Sequence, residues 1–290
     1  MERTIAGPGG RALRVVDEGD ERGPAIVVHH GTPVSGDLFG PWVRDAAARG
    51  ARLIGYDRPG YGGSAAQPGR AVADAAADVA AIADALDLER LATWGISGGG
   101  PHALACAALL GGRVVGAASL AGVAPFEAPA LNYFVGMGRE NWVELGAALV
   151  GRETLEALLR PQAEEMRAAR PEDIAESMRT LVSPVDAGAL AVGFDAFWAG
   201  ALKACFAQGI EGWVEDDLAF VEHFGFDLGA ITVPVLVWHG RHDRFVPVTH
   251  GEWLAGAIPG AEARISDSDG HLTLITERIP AVHDWLLARF

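Results

Sequence analysis

Residues Leu91-Ala92-Thr93-Trp94-Gly95-Ile96-Ser97-Gly98-Gly99-Gly100 form an apolar run that ends in Gly-x-Ser-x-Gly, and residues 101–110 continue as a second, nearly all-apolar stretch. The first run suits a buried strand and the second a buried helix. A serine on the tight turn between them must hold strained backbone angles. Glycines two residues to either side, Gly95 and Gly99, let the flanking segments pass closely. The helix that follows directs N–H groups toward a reacting carbonyl, so Ser97 is the expected nucleophile and the Gly98 amide an expected oxyanion donor.

Outward from this turn, short Val/Ile-rich runs at 12–17, 25–30, 51–57, 90–96, 114–121, 233–239 and 262–266 alternate with helical patterns. That rhythm predicts an α/β fold, a mostly parallel sheet with helices on both faces. Over residues 72–86, Val72, Val79, Ile82 and Leu86 share one helical face, while Asp74, Asp78 and Asp84 are expected on the other. The rhythm stops after Pro125 and resumes at Val233. The intervening residues carry helical patterns at 141–150, 153–169, 171–182 and 194–208, with Pro171 suited to a helix first turn. The expected organisation is a core of residues 1–125 and 229–290 with a helical cap inserted at 126–228.

A nucleophilic serine needs a base, and imidazole, with a reference pKa of ~6.5, suits the task near neutrality. Of nine histidines, His271 is the best placed, following the last expected strand and preceding the terminal helical segment. The orienting acid should leave a late strand before that histidine. Asp243 does so, in the loop after the buried-strand pattern Pro234-Val235-Leu236-Val237-Trp238. Asp267 and Asp269 are rivals, but they lie so close to His271 in the chain that they suit shaping its loop. A second oxyanion donor should come from the turn Gly31-Thr32-Pro33 after the strand at 25–30; Thr32 is chosen because proline has no N–H. Eight aromatics of the cap, Phe126, Phe134, Trp142, Phe194, Phe197, Trp198, Phe206 and Trp213, are candidates for an apolar pocket.

A chain of 290 residues that is 50% hydrophobic can bury a large core. Its net charge of -15, from 38 acids against 23 bases, disfavours nucleic acid and anionic membrane surfaces as partners. The run Glu215-Asp216-Asp217 is expected to be a solvated helix face. Cys106 and Cys205 fit neither a disulfide framework nor metal-ligand spacing, and His29, His30, His239 and His242 match no metal motif. Neither a signal-peptide pattern nor an apolar run near the ~20 residues of a membrane span is present, so a cytoplasmic location is expected.

With Ser97, Asp243 and His271 in that chain order, the sequence resembles the α/β-hydrolase superfamily over most of its length outside the cap. The resemblance also rests on His30-Gly31-Thr32-Pro33 and on Tyr56-Asp57-Arg58-Pro59-Gly60-Tyr61-Gly62-Gly63-Ser64. It implies an eight-stranded sheet, a cap between strands six and seven, and neither metal nor organic cofactor. It further implies that Asp57 to Ser64 is a structural turn, that His30 steadies the oxyanion loop and that His102 borders the site.

Cap-bearing members include carboxylesterases, proline iminopeptidase-like aminopeptidases, cofactor-free haloperoxidases and lactonases or cyclases. Serine at position 97 argues against dehalogenases and epoxide hydrolases, which carry aspartate there. Gly98 stands where proline iminopeptidases usually have tryptophan, and an aminopeptidase would need a buried cap carboxylate such as Glu211, Glu215, Asp216 or Asp217. The expectation is a serine hydrolase that cleaves a small or medium uncharged carboxylic ester or lactone through an acyl-enzyme. The alternatives are an aminopeptidase and a ligand-binding protein on a hydrolase scaffold. The sequence assigns no oligomeric state.

Overall fold

The central apolar runs become strands that are buried on both faces, which requires a layer of helices on each side. In the computed structural model, which describes residues 1–171, 173 and 180–290, eight strands form one sheet. They are β1 (Glu2–Ala6), β2 (Ala12–Gly19), β3 (Ala25–His29), β4 (Arg52–Tyr56), β5 (Leu91–Ile96), β6 (Val114–Leu120), β7 (Val235–Gly240) and β8 (Glu262–Ser266). Their order is β1-β2-β4-β3-β5-β6-β7-β8, parallel from β4 to β8 and antiparallel at the β1–β2 and β2–β4 pairs. Seven strands fall where the patterning predicts, with ends shifted by one or two residues. β1 is unforeseen: an edge strand with Ile5 as its one large aliphatic side chain carries almost no apolar signature.

Two helical pairs cover the middle of the sheet. Helices α2 (Ala75–Ala85) and α3 (Gly99–Leu109) pack on each other, and α3 also packs on β5 and β6; α1 (Gly40–Ala48) pairs with the C-terminal α10 (Ile279–Leu287). Val72, Val79, Ile82 and Leu86 are buried as expected. Asp78, expected among the solvated residues, is instead buried, because Arg11 reaches its carboxylate at 2.5 Å.

Between β6 and β7 the described residues contain helices and no strand: α4 (Arg139–Val150), α5 (Arg152–Ala168), a short turn at Ala187–Ala189, α6 (Asp195–Cys205) and α7 (Glu211–Val221). The helix expected at 171–182 falls largely on residues 172 and 174–179, which lie outside the described residues. Leu155, Leu159, Phe206 and Trp213 form a small apolar cluster within this segment. Glu215, Asp216 and Asp217 on α7 are not solvated: all three are buried, the first two against arginines. Helix α8 (Val248–Ala257) follows β7, and α9 (His271–Glu277) follows β8. No helix among the described residues is long and apolar enough to cross a membrane.

Candidate active site

The turn from β5 into α3 has the geometry that its sequence demands. Ser97 sits at φ 56°, in the left-handed region, and its N–H donates to the Leu120 carbonyl at 2.9 Å. A β-carbon at Gly95 would lie 2.0 Å from the Gly99 carbonyl oxygen, and one at Gly99 would lie 2.1 Å from that of His29. Both glycines are therefore required by close approach, and together they leave Ser97 half-buried at the wall of a cavity of about 880 Å³.

His271, the first residue of α9, lines the same cavity. Its Nδ1 donates to Asp243 Oδ2 at 2.7 Å, and its ring stacks on Phe245 with centroids 4.5 Å apart. The other oxygen of Asp243 accepts the Phe245 and Val246 amides at 2.8 and 2.9 Å. Burial raises the Asp243 carboxyl, but the charge and hydrogen bond of His271 and the neighbouring His239 outweigh it and hold the pKa at about 2. The rivals are engaged elsewhere: Asp269 is held bidentately by Arg278, and exposed Asp267 pairs with Arg241.

The loop after β3 packs directly on the elbow. A β-carbon at Gly98 would meet Thr32 Oγ1 at 2.4 Å, and Gly31 lies against Ser97. Among the described residues no protein acceptor engages the Thr32 or Gly98 amide, so both N–H groups are free. His30 is wired into this loop: Nδ1 donates to the Gly31 carbonyl at 2.7 Å, and Nε2 accepts the Arg58 amide at 3.1 Å. Burial and the adjacent Arg58 push His30 and His102 well below the usual histidine range, so both are neutral. His102 lies under the elbow, donating from Nδ1 to the Gly98 carbonyl at 2.7 Å. Asp57 accepts the Gly36 and Gly63 amides at 2.7 and 2.9 Å, which makes its segment a braced turn.

Of the eight cap aromatics, Phe194, Phe197, Trp198 and Trp213 line the cavity. The other four do not: Phe126 and Phe134 pack with Tyr133, Phe206 is buried in the small cluster, and Trp142 is exposed. Two carboxylates went unrecognised in the sequence. Glu144 faces the cavity, accepts the Trp213 indole N–H at 2.8 Å and interacts with Asp217; burial pushes both carboxyls up, Glu144 to about 7. Asp186, fully buried, accepts the His271, Leu272 and Thr273 amides at 3.1, 2.8 and 3.1 Å and so caps the helix that begins with His271. No local pattern marks either residue, because their partners lie far away in the chain.

Known proteins are similar to this chain over most of its length. A non-heme chloroperoxidase of Streptomyces lividans is 31% identical over 251 residues, covering 84% of this chain and 83% of its own. Another, from Burkholderia pyrrocinia, is 29% identical over 80% of this chain and 79% of its own. Among solved structures, a thermophilic esterase from Thermogutta terrifontis superposes with a TM-score of 0.71 at 23% identity, covering 100% of this chain and 99% of its own. An enol-lactonase from Burkholderia xenovorans superposes with a TM-score of 0.69 at 22% identity, covering 99% of each chain. At these identities the two solved structures show a shared fold. The family profile described as alpha/beta hydrolase fold matches residues 24–278, most of the sheet and its elbow, and the chain therefore belongs to the alpha/beta hydrolase family.

Proposed function

We propose that this hydrolase cleaves a small or medium uncharged carboxylic ester or lactone through an acyl-enzyme on Ser97. The observation that carries the reading is convergence: one cavity is lined by Ser97, by His271 hydrogen-bonded to Asp243, and by the loop of Thr32. In this mechanism Ser97 Oγ attacks the carbonyl carbon while His271 takes its proton. Asp243 fixes the imidazole tautomer and stabilises the imidazolium. The Thr32 and Gly98 amides hold the oxyanion. His271 then protonates the leaving alkoxide, and water releases the acid by the same route. Residues 126–228 act as a lid, and Phe194, Phe197, Trp198 and Trp213 of it form the acyl pocket. A cavity of about 880 Å³ walled by Phe194, Phe197 and Trp198 supports an apolar acyl group. A cytoplasmic setting belongs to the same reading, supported by two free, buried cysteines.

A second reading, an aminopeptidase, is favoured by one feature. Glu144 presents a carboxylate to the cavity, with Asp217 behind it, where a substrate ammonium could be held. Of the carboxylates expected for that role, Asp216 is taken by Arg58 and Arg70, and Glu215 and Glu211 by Arg152.

The test is a screen of p-nitrophenyl esters against proline-naphthylamide, with Ser97→Ala alongside. Ester hydrolysis that disappears in Ser97→Ala and is unaffected by EDTA is the expected result. Cleavage of the amide in preference to every ester would favour the aminopeptidase. Slow turnover of everything, with saturable binding of one ligand, would indicate a binding protein on this scaffold.

A further inference from the structure

Helix α7 belongs to the inserted segment, yet one of its faces is built into the underside of the oxyanion site. Gly212, Asp216 and Phe220 are spaced four apart and so share that face. Gly212 packs on Tyr61 so closely that a β-carbon would lie 2.6 Å from the ring, and Phe220 lies against Gly98 and His102.

Between them, fully buried Asp216 accepts hydrogen bonds from Thr32 Oγ1 at 2.5 Å, Tyr61 Oη at 2.8 Å and Arg70 at 2.5 Å. Arg58 adds two more, at 2.5 and 3.2 Å. The Arg58 guanidinium in turn donates to the His30 and Gly31 carbonyls at 2.5 and 3.1 Å and to Thr32 Oγ1 at 3.0 Å. His102, which holds the Gly98 carbonyl, has its other nitrogen 3.8 Å from Asp216. One buried carboxylate thus reaches the loop of one oxyanion donor directly and the residue that holds the other.

We propose that Asp216 is a positioning residue for the oxyanion site: its carboxylate, supplied by the inserted segment, clamps Thr32 and Arg58 so that the Thr32 amide is fixed on the developing oxyanion. The inference rests on the acyl-transfer reading of Ser97. The two guanidiniums outweigh the burial that opposes its charge and hold the Asp216 carboxyl well below the usual carboxylate range. The arrangement is made before substrate arrives, so its contribution belongs to the transition state and not to ground-state binding.

The experiment compares wild type with Asp216→Asn, Thr32→Val and Thr32→Ser on one p-nitrophenyl ester. It measures kcat, KM and inhibition by a trifluoromethyl ketone, whose adduct with serine is an oxyanion, and by the matching methyl ketone. Asp216→Asn and Thr32→Val should lower kcat by about 10- to 100-fold, below the ~10²- to 10³-fold cost of deleting an oxyanion donor outright. The trifluoromethyl ketone should weaken by the same factor, while KM and the methyl ketone stay within about twofold of wild type. Thr32→Ser, which keeps the hydroxyl, should lose clearly less than Thr32→Val. Where Asp216→Asn does not fold, the Thr32 pair decides. The proposal is overturned if kcat is unchanged in the folded variants, if both ketones weaken equally, or if Thr32→Ser is damaged and Thr32→Val is not. A wild-type rate in Ser97→Ala would instead remove the acyl-transfer reading and this proposal with it.

Discussion

Asp243 stays ionised because His271 and His239 outweigh the burial that opposes its charge, and that charge is what an imidazolium at position 271 would need. Asp243→Asn removes it and favours the wrong tautomer, so kcat should fall by up to ~10⁴ while the fold survives. Steady-state assays of Asp243→Asn beside Asp267→Asn check the choice of acid; a normal rate in the first and a large loss in the second would reverse it. Glu144 makes a different prediction. Its folded-state pKa, raised from 4.5 to about 7, exceeds the unfolded value, so the folded protein holds an extra proton between the two. The stability linked to that proton is full below the unfolded pKa and is lost as pH rises through about 7. In melts taken across this window, the wild-type Tm should decline relative to that of Glu144→Gln. Parallel curves would show that this carboxyl is not raised.

Helix α9 begins at His271 with three backbone N–H groups that no residue of its own turn accepts, and Asp186 accepts them from the segment between β6 and β7. Asp186→Ala should therefore cost at least the ~0.5–2 kcal/mol of a lost N-cap, and more because the freed amides are buried. The denaturation midpoint in urea measures this, and an unchanged midpoint would mean that water or a shifted side chain replaces the cap. The elements most legible in the sequence were those with local causes. Strand β5, the glycines of the elbow and the apolar helix α3 each announce themselves within a few residues. Strand β1 did not, because an edge strand of alternating exposure is defined by its pairing with β2 and not by its own composition.

At the scale of the molecule, the cavity lies between the sheet edge that carries Ser97 and the helices between β6 and β7, with Phe197 and Trp198 on its walls. Alanine at either position should enlarge the acyl pocket and move the preferred ester toward longer chains, while fluorophosphonate labelling of Ser97 persists. An unchanged chain-length profile in both variants would exclude this wall from substrate selection, and lost labelling would tie it to the chemistry. The class of fold, the strand-to-helix turn at Ser97 and the chain order of Ser97, Asp243 and His271 are legible in the residues alone, because each rests on periodicity or on a motif a few residues long. The acids of α7 are not: three successive charges look solvated until their partners are known. Only the tertiary structure brought those partners in, since Asp216 bonds to Arg70, Arg58 and Thr32 across 146, 158 and 184 residues of chain. Burying a charge is tolerable only when such distant groups neutralise it, and no local pattern records where the fold will bring them together.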